Sequence, residues 1–244
     1  MKKVICFYWK GDRWKSINEP TPRYGNLINR IGTVDNALAA NYVNNLYAGV
    51  KRNTSLDFEF ICFTNENLIL DKNISVRPFK MITKMGVLPR MYMFSEEAGL
   101  FGHQVLCLDI DIVIVGNLDD ILQYEGTFCA RSKFWSGQEH KLDGDIMSFR
   151  ADKANEERFW KPLEKDPEAV EEMTQGRERY WIRHVIEDSA ERWDIVLPGQ
   201  VVSYKKHVLK NRGIPKNARI VSCHGTPRPH QVEKYGVKNI WKCG

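Results

Sequence analysis

Two aspartates two positions apart, Asp109 and Asp111, interrupt the most apolar run of the chain, residues 105–115, V-L-C-L-D-I-D-I-V-I-V. Read as one strand, the run projects residues i and i+2 to the same face. Both carboxylates then point together among apolar side chains. Close, desolvated carboxylates repel one another and resist ionisation. A divalent cation removes both penalties, and hard oxygen ligands suit Mg²⁺ or Mn²⁺. Such an ion bridges paired carboxylates to a ligand diphosphate. The bland alternative is a pair of salt-bridged structural acids. A second pair, Asp143 and Asp145 around Gly144, reads as a turn with solvated acids.

The elements that would position the first pair alternate. Residues 4–9 read as a buried strand, followed by a loop through Pro20, Pro22 and Gly25. Thr33 can cap a helix with apolar positions at Val34, Leu38, Tyr42, Leu46 and Val50. Strands are expected over 58–63, 76–79, 105–115, 127–131, 145–150, 201–204 and 220–223. Helices are expected over 90–100, 119–122, 153–160, 167–173 and 178–187, the first opening after Pro89. This alternation argues for an α/β fold with a mostly parallel sheet. In such sheets ligands sit beyond the carboxyl ends of the strands.

The 244 residues, 43% hydrophobic and 27% charged, form an ordinary globular composition and exclude overall disorder. Without repeat or linker, we read one domain, 1–244. The run 105–115 is too short and too acidic to span a membrane. The apolar stretch after Met1-Lys2-Lys3 ends at Lys10 without a cleavage site, so no signal peptide is expected. Six cysteines lack any C-x-x-C pair, which argues against structural zinc and for buried thiols in a reducing, cytoplasmic compartment. The net charge of +5 is uneven: residues 201–244 carry ten Lys or Arg against Glu233 alone. A basic segment suits an anionic partner. No nucleic-acid motif accompanies it.

The stretch L-D-I-D-I-V-I-V-G-N-L-D-D-I-L from Leu108 resembles the D-x-D strand of GT-A glycosyltransferases, nearest to family eight, which includes glycogenin and bacterial lipopolysaccharide galactosyltransferases. Ile61-Cys62-Phe63-Thr64-Asn65 is similar to the family's CFTD strand end. Leu88-Pro89-Arg90-Met91-Tyr92-Met93-Phe94 resembles its WPKLxLF helix start. Ser203-Tyr204-Lys205-Lys206-His207 matches SYKxH, and Cys223-His224-Gly225-Thr226-Pro227-Arg228-Pro229-His230 resembles FHGxPKPH. The likeness runs from Val4 to His230. Arg177 departs from it, standing where the family has the Asp of GDQ or GDE.

The resemblance implies a Rossmann-like central sheet flanked by helices and a nucleotide-sugar glycosyltransferase. It implies that Asp109, Asp111 and His224 hold a divalent metal, Mn²⁺ or Mg²⁺, on the donor diphosphate. Arg90 and Arg228 become candidate diphosphate clamps, since a guanidinium grips phosphate oxygens bidentately. Gly225 follows the ligand histidine. Tyr8 and Trp9 would meet the nucleotide base and Thr64 the base or ribose. Asp145 and Glu178 are the carboxylates expected to face the sugar, one of them a general base if the enzyme inverts. The donor is expected to be a UDP-sugar carrying a hexose, and the acceptor a glycan, lipid-linked or protein group. Two other functions stay open: a sugar-nucleotide or glycan-binding protein without turnover, and a nucleotidyltransferase, although no G-x-G-rich loop follows the first strand.

Residues 201–244 are expected to fold back over the donor. Without the ion, His224 is expected to lack a partner and Arg228 to face only like charge. Residues 220–230 would then order only with metal and nucleotide. Trp241 and Tyr235, in the basic segment, suit peripheral contact with the inner membrane face.

Overall fold

The computed structural model of the chain describes residues 1–10, 36–83, 86–135 and 137–242. The expected loop through Pro20, Pro22 and Gly25, the cap at Thr33, the helix position Val34 and the sixth cysteine, Cys243, lie outside the described residues.

Seven strands form the main sheet, in the order β3-β2-β1-β4-β7-β6-β8. β1 (Lys2–Tyr8) is buried along almost its whole length, as expected of a strand covered on both faces. It pairs in parallel with β2 (Phe58–Thr64) and with β4 (Gln104–Leu108). β3 (Ile74–Arg77) extends the parallel side beyond β2. β7 (Leu142–Arg150) runs antiparallel to β4 and to β6 (Phe128–Ser132), and β8 (Glu191–Arg192) closes that edge. Strand order reverses between β1 and β4, and a crevice forms beyond the carboxyl ends at such a switch point.

α1 (Asn36–Arg52) buries Ala39, Val43, Leu46 and Val50 at helical spacing. Lys51 and Arg52 in its last turn complement the helix dipole. Gly49 lets the helix approach the sheet layer: a Cβ there would stand 3.2 Å from Ile114 Cβ. α2 (Asp119–Gln123), α3 (Pro167–Thr174) and α4 (Glu178–Ile186) follow the expected positions.

Several expectations are corrected. The third strand begins and ends two residues early, at Ile74–Arg77. The segment after Val87 forms two 3₁₀ helices, Leu88–Phe94 and Glu96–Ala98, rather than one α-helix. All seven residues of the first are buried, so packing on every side replaces the one-sided burial of an amphipathic helix.

The run 105–115 is not one strand. β4 ends at Leu108, a turn carries Asp109 to Asp111, and β5 (Ile112–Ile114) enters a separate sheet. That sheet has the order β5-β10-β9, with β10 (Ile220–Ser222) antiparallel to β5 and parallel to β9 (Val201–Ser203). The two acids therefore share a turn, not a strand face. Conversely, Asp143 and Asp145 lie within β7, not in a solvated turn. The break in β4–β5 lets the charged pair reach the crevice while the apolar residues on either side stay in two different sheets.

A helix not anticipated from the sequence, α5 (Val237–Lys242), packs Trp241 against Tyr42 and His230. Trp241 is 5% exposed, so it is a core residue and cannot serve as the interfacial aromatic. Tyr235 remains exposed. No described helix is long and apolar enough to cross a membrane. The five described cysteines are free and buried.

Candidate active site

The turn 109–111 is held at the crevice by backbone. Asp109 N donates to the Asp145 carbonyl at 2.8 Å, and Ile112 N donates to the Asp109 carbonyl at 3.2 Å. Beside it, the β6–β7 pairing shifts register between Ala130 and Arg131. Such irregularities re-aim side chains, and this one falls where β7 carries Gly144 and Asp145.

Each acid of the turn meets its own arginine from a distant part of the chain. Arg90, 4% exposed, donates from Nη1 to Asp109 Oδ1 at 2.5 Å and to Glu178 Oε1 at 2.8 Å. Its Nη2 reaches Cys107 Sγ at 3.1 Å. Arg228, just after β10, pairs through Nη1 with Asp111 Oδ2. Burial raises the Asp109 carboxyl above its usual range against the pull of Arg90 and, more weakly, Arg228. Two guanidinia thus carry the charge that paired acids attract.

The second pair shares one arginine. Arg131 is 4% exposed and donates from Nε to Asp145 Oδ1 at 2.5 Å and from Nη2 to Asp143 Oδ2 at 3.1 Å. Asp145 Oδ2 accepts from Ser222 Oγ at 2.6 Å, so both of its oxygens are engaged. Glu178 differs: Oε2 is buried with no hydrogen-bond partner. Burial pushes its carboxyl up to about 8, against the pull of Arg90. Gly144 makes room for it, since a Cβ there would stand 2.8 Å from Glu178 Oε1.

His224 also has a partner, correcting the expectation that it lacks one. Its Nε2 lies 2.7 Å from Ser203 Oγ on β9. Its ring stacks on Phe134 at 5.6 Å and meets Trp135 edgewise at 5.8 Å. Burial, then the nearby Arg131, lowers the imidazole to about 4, so it is neutral at ordinary pH. Arg228 likewise faces Asp111 rather than only like charge. Gly225 adopts φ 72°, a left-handed conformation that glycine takes freely. It turns the chain between His224 and Arg228, beneath Lys205.

The nucleotide candidates sit at the carboxyl ends of β1 and β2, where Tyr8 and Thr64 are register partners. Tyr8, Trp9 and Thr64 are each 5% exposed or less. Trp9 packs within the main core, edge-on to Phe79 at 5.7 Å. Thr64 Oγ1 accepts from Glu66 N at 3.1 Å.

Among the described residues, no three His, Cys, Asp or Glu groups stand together so as to hold a metal ion. By residue type, two carboxylates and a neutral imidazole suit a divalent cation, but among the described residues they are not gathered into one site. Arg228 pairs with Asp111 and is also felt at Asp109.

Sequence reasoning missed Arg131 and Ser222, and named Ser203 only as the first residue of the SYKxH match. Arg131 carried a signal, a charged residue ending the apolar strand F-C-A-R. Ser222 carried none.

No protein-family model and no curated protein matches this sequence. Solved structures do match its fold. The galactosyltransferase LgtC, solved with donor and acceptor sugar analogs, superposes with a TM-score of 0.61 at 9% identity, over 98% of this chain and 93% of that one. The glycosyltransferase GlyE of Streptococcus pneumoniae gives 0.63 at 11% identity, over 99% of this chain and 60% of that one. Mouse xyloside xylosyltransferase 1 gives 0.50 at 7% identity, over 93% and 98%. The seven-stranded, mostly parallel α/β domain found here is the GT-A fold of the glycosyltransferases.

Proposed function

We propose that this chain transfers a sugar from a nucleoside diphosphate donor to an acceptor hydroxyl. One observation carries the reading. In a GT-A fold, the C-terminal segment brings Arg228 onto Asp111, at the turn beyond the carboxyl end of β4. That meeting of a remote cation with the D-x-D acids, next to the strand-order switch, suits a diphosphate.

Asp109, Asp111 and His224 would hold the divalent cation, which neutralises charge developing on the departing diphosphate. Arg228 would leave Asp111 for the phosphate oxygens and stabilise the same charge. Arg90 suits a different task from gripping phosphate, because its Nη1 is shared by Asp109 and Glu178: it orients both. Tyr8, Trp9 and Thr64 would line the nucleoside end. Of the two carboxylates considered for the sugar, Glu178 has an oxygen that is buried and without a hydrogen-bond partner. Protonated below about pH 8, it would donate a hydrogen bond to a sugar or acceptor oxygen, and would take the acceptor's proton only once ionised. Asp145, engaged at both oxygens, would act by fixing Arg131 and the turn. A UDP-sugar donor and a cytoplasmic site of action belong to the same reading.

Binding without turnover is favoured by one observation: arginines already neutralise both D-x-D acids. Release of UDP or GDP from a sugar-nucleotide panel, with Mn²⁺ and then with EDTA, separates the readings. Metal-dependent release supports transfer. Tight UDP binding with no release from any donor rejects turnover in favour of binding. UDP is also expected to bind more tightly than UMP, which lacks the second phosphate; equal affinities in calorimetry would remove the diphosphate grip.

A further inference from the structure

Next to the candidate site lies a cationic, aromatic face that the donor chemistry leaves unused. It is built by α4 and by residues 133–135, just after β6. Tyr180 has three guanidinia around its ring: Arg177 at 5.2 Å, Arg179 at 5.6 Å and Arg183 at 5.6 Å from the centroid. Burial, then the nearness of Arg183 and Arg179, lowers the Lys133 ammonium, so these cations stand close enough to feel one another. Arg183 is fixed by Nε donating to the Leu142 carbonyl at 2.8 Å. Arg179 Nε is buried with no hydrogen-bond partner. At the far side of residues 133–135, the Trp135 indole is 46% exposed beneath the Lys206 ammonium, 4.9 Å from its centroid.

Like charges are crowded here with few acids to offset them. Asp143 lies 4.0 Å from Arg179 and is already shared with Arg131. Glu187 lies 3.8 Å from Arg183. Crowded guanidinia repel one another, and an oxyanion relieves the repulsion while accepting bidentate hydrogen bonds. An exposed indole offers an apolar face to a pyranose ring. The face also abuts the transfer site directly: Arg179 reaches Asp143, Asp143 reaches Arg131, and Trp135 meets His224.

We infer that this face is the acceptor site and selects a glycan bearing a phosphate or carboxylate group, with the sugar against Trp135 and the oxyanion among Lys133, Arg179 and Arg183. The inference rests on the glycosyl-transfer reading and specifies its acceptor. Arg177, which replaces the acid of the resembling family, adds to the same positive field.

Calorimetry at low salt with four probes tests it: methyl glucoside, its 6-phosphate, methyl glucuronide and inorganic phosphate. The two anionic glycosides are expected to bind at least about tenfold more tightly than the neutral one, and the preference to shrink as salt screens it. Comparison of the 6-phosphate with the glucuronide identifies which oxyanion is selected. Arg179→Gln and Lys133→Gln should each reduce the preference about threefold or more. Having two variants, each checked by thermal melting, covers the failure of either to fold. Equal affinity for neutral and anionic glycosides overturns the inference. So does inorganic phosphate binding as tightly as the 6-phosphate, which would mark an anion site indifferent to sugar. UDP binding to the wild-type chain is measured in parallel. UDP binding without anionic preference rejects this inference alone; anionic preference without UDP binding rejects the transfer reading.

Discussion

The two D-x-D pairs have the same spacing and are neutralised in opposite ways. Asp109 and Asp111 sit in a turn, and each meets a separate arginine, Arg90 from the 3₁₀ segment and Arg228 from near the C-terminus. Asp143 and Asp145 sit in β7, and one internal arginine, Arg131, serves both. The i, i+2 argument about strand faces is sound, but it describes the second pair. Acids locked to one buried arginine behave as structure. Asp109 is held in the same way by Arg90, as buried as Arg131; Asp111, whose partner Arg228 is part-exposed and comes from far along the chain, can exchange that partner for a ligand. The difference lies in where the counter-charge is anchored, not in the motif.

The sharpest test breaks the charge pairing at each site. Arg131→Met leaves two largely buried carboxylates without their cation and should destabilise the fold by about 3–5 kcal/mol in urea. Asp111→Ala leaves a part-exposed Arg228 without its acid and should cost less, about 1–2 kcal/mol. It should instead lower metal-dependent donor turnover by about a thousandfold. Similar stability losses in the two variants would erase the contrast.

Glu178 offers a pH test of the first pair's surroundings. Its folded value is raised from 4.5 to about 8 by burial. The folded state therefore keeps a proton that the unfolded chain releases, and stability falls as pH rises from about 4.5 to 8. Glu178→Gln preserves an oxygen for Arg90 and removes this slope. Relative to the variant, the wild type should lose on the order of 3 kcal/mol between pH 5 and 8. Parallel pH–stability curves would count against a buried, protonated Glu178.

A smaller effect of opposite sign belongs to His224. Its folded value is lowered from 6.5 to about 4, so the unfolded state binds the proton first and stability is lost as pH falls through that window. His224→Gln should flatten the curve by on the order of 1 kcal/mol. It should also weaken metal-dependent UDP binding, whereas unchanged metal affinity would remove His224 from the proposed ligand set. The least effect is expected at Asp119, an acid held by Thr54 and Ser55 with no arginine and lowered to about 2. Its contribution is present above pH 3.8 and lost as pH falls toward 2. Asp119→Asn should cost less than about 1 kcal/mol at pH 7, and a larger loss would show that neutral donors can anchor an acid as firmly as Arg131 does.

The apolar runs of β1, β2, β4 and β10 were legible because strands buried on both faces need unbroken apolar sequence. The α1 stripe was legible because burial on one side imposes a helical period. The 3₁₀ segment Leu88–Phe94 was not, since a helix buried all round has no such stripe. Trp241 read as an interfacial aromatic because its neighbours in sequence are basic. Its neighbours in space, Tyr42 and His230, come from elsewhere in the chain.

By itself, the sequence determined the α/β class, the order of most elements and the residue types that a diphosphate site would need. These follow from local composition and periodicity, which act over a few residues. Only the tertiary structure decided which acids share a face, which cation each meets and which carboxyl keeps an unpaired oxygen. Those depend on contacts such as Arg228 with Asp111, 117 positions apart, and Ser222 with Asp145, 77 apart. The breaking of one apolar run into β4 and β5 was decided there too, because a strand breaks where its two halves find different sheets to join.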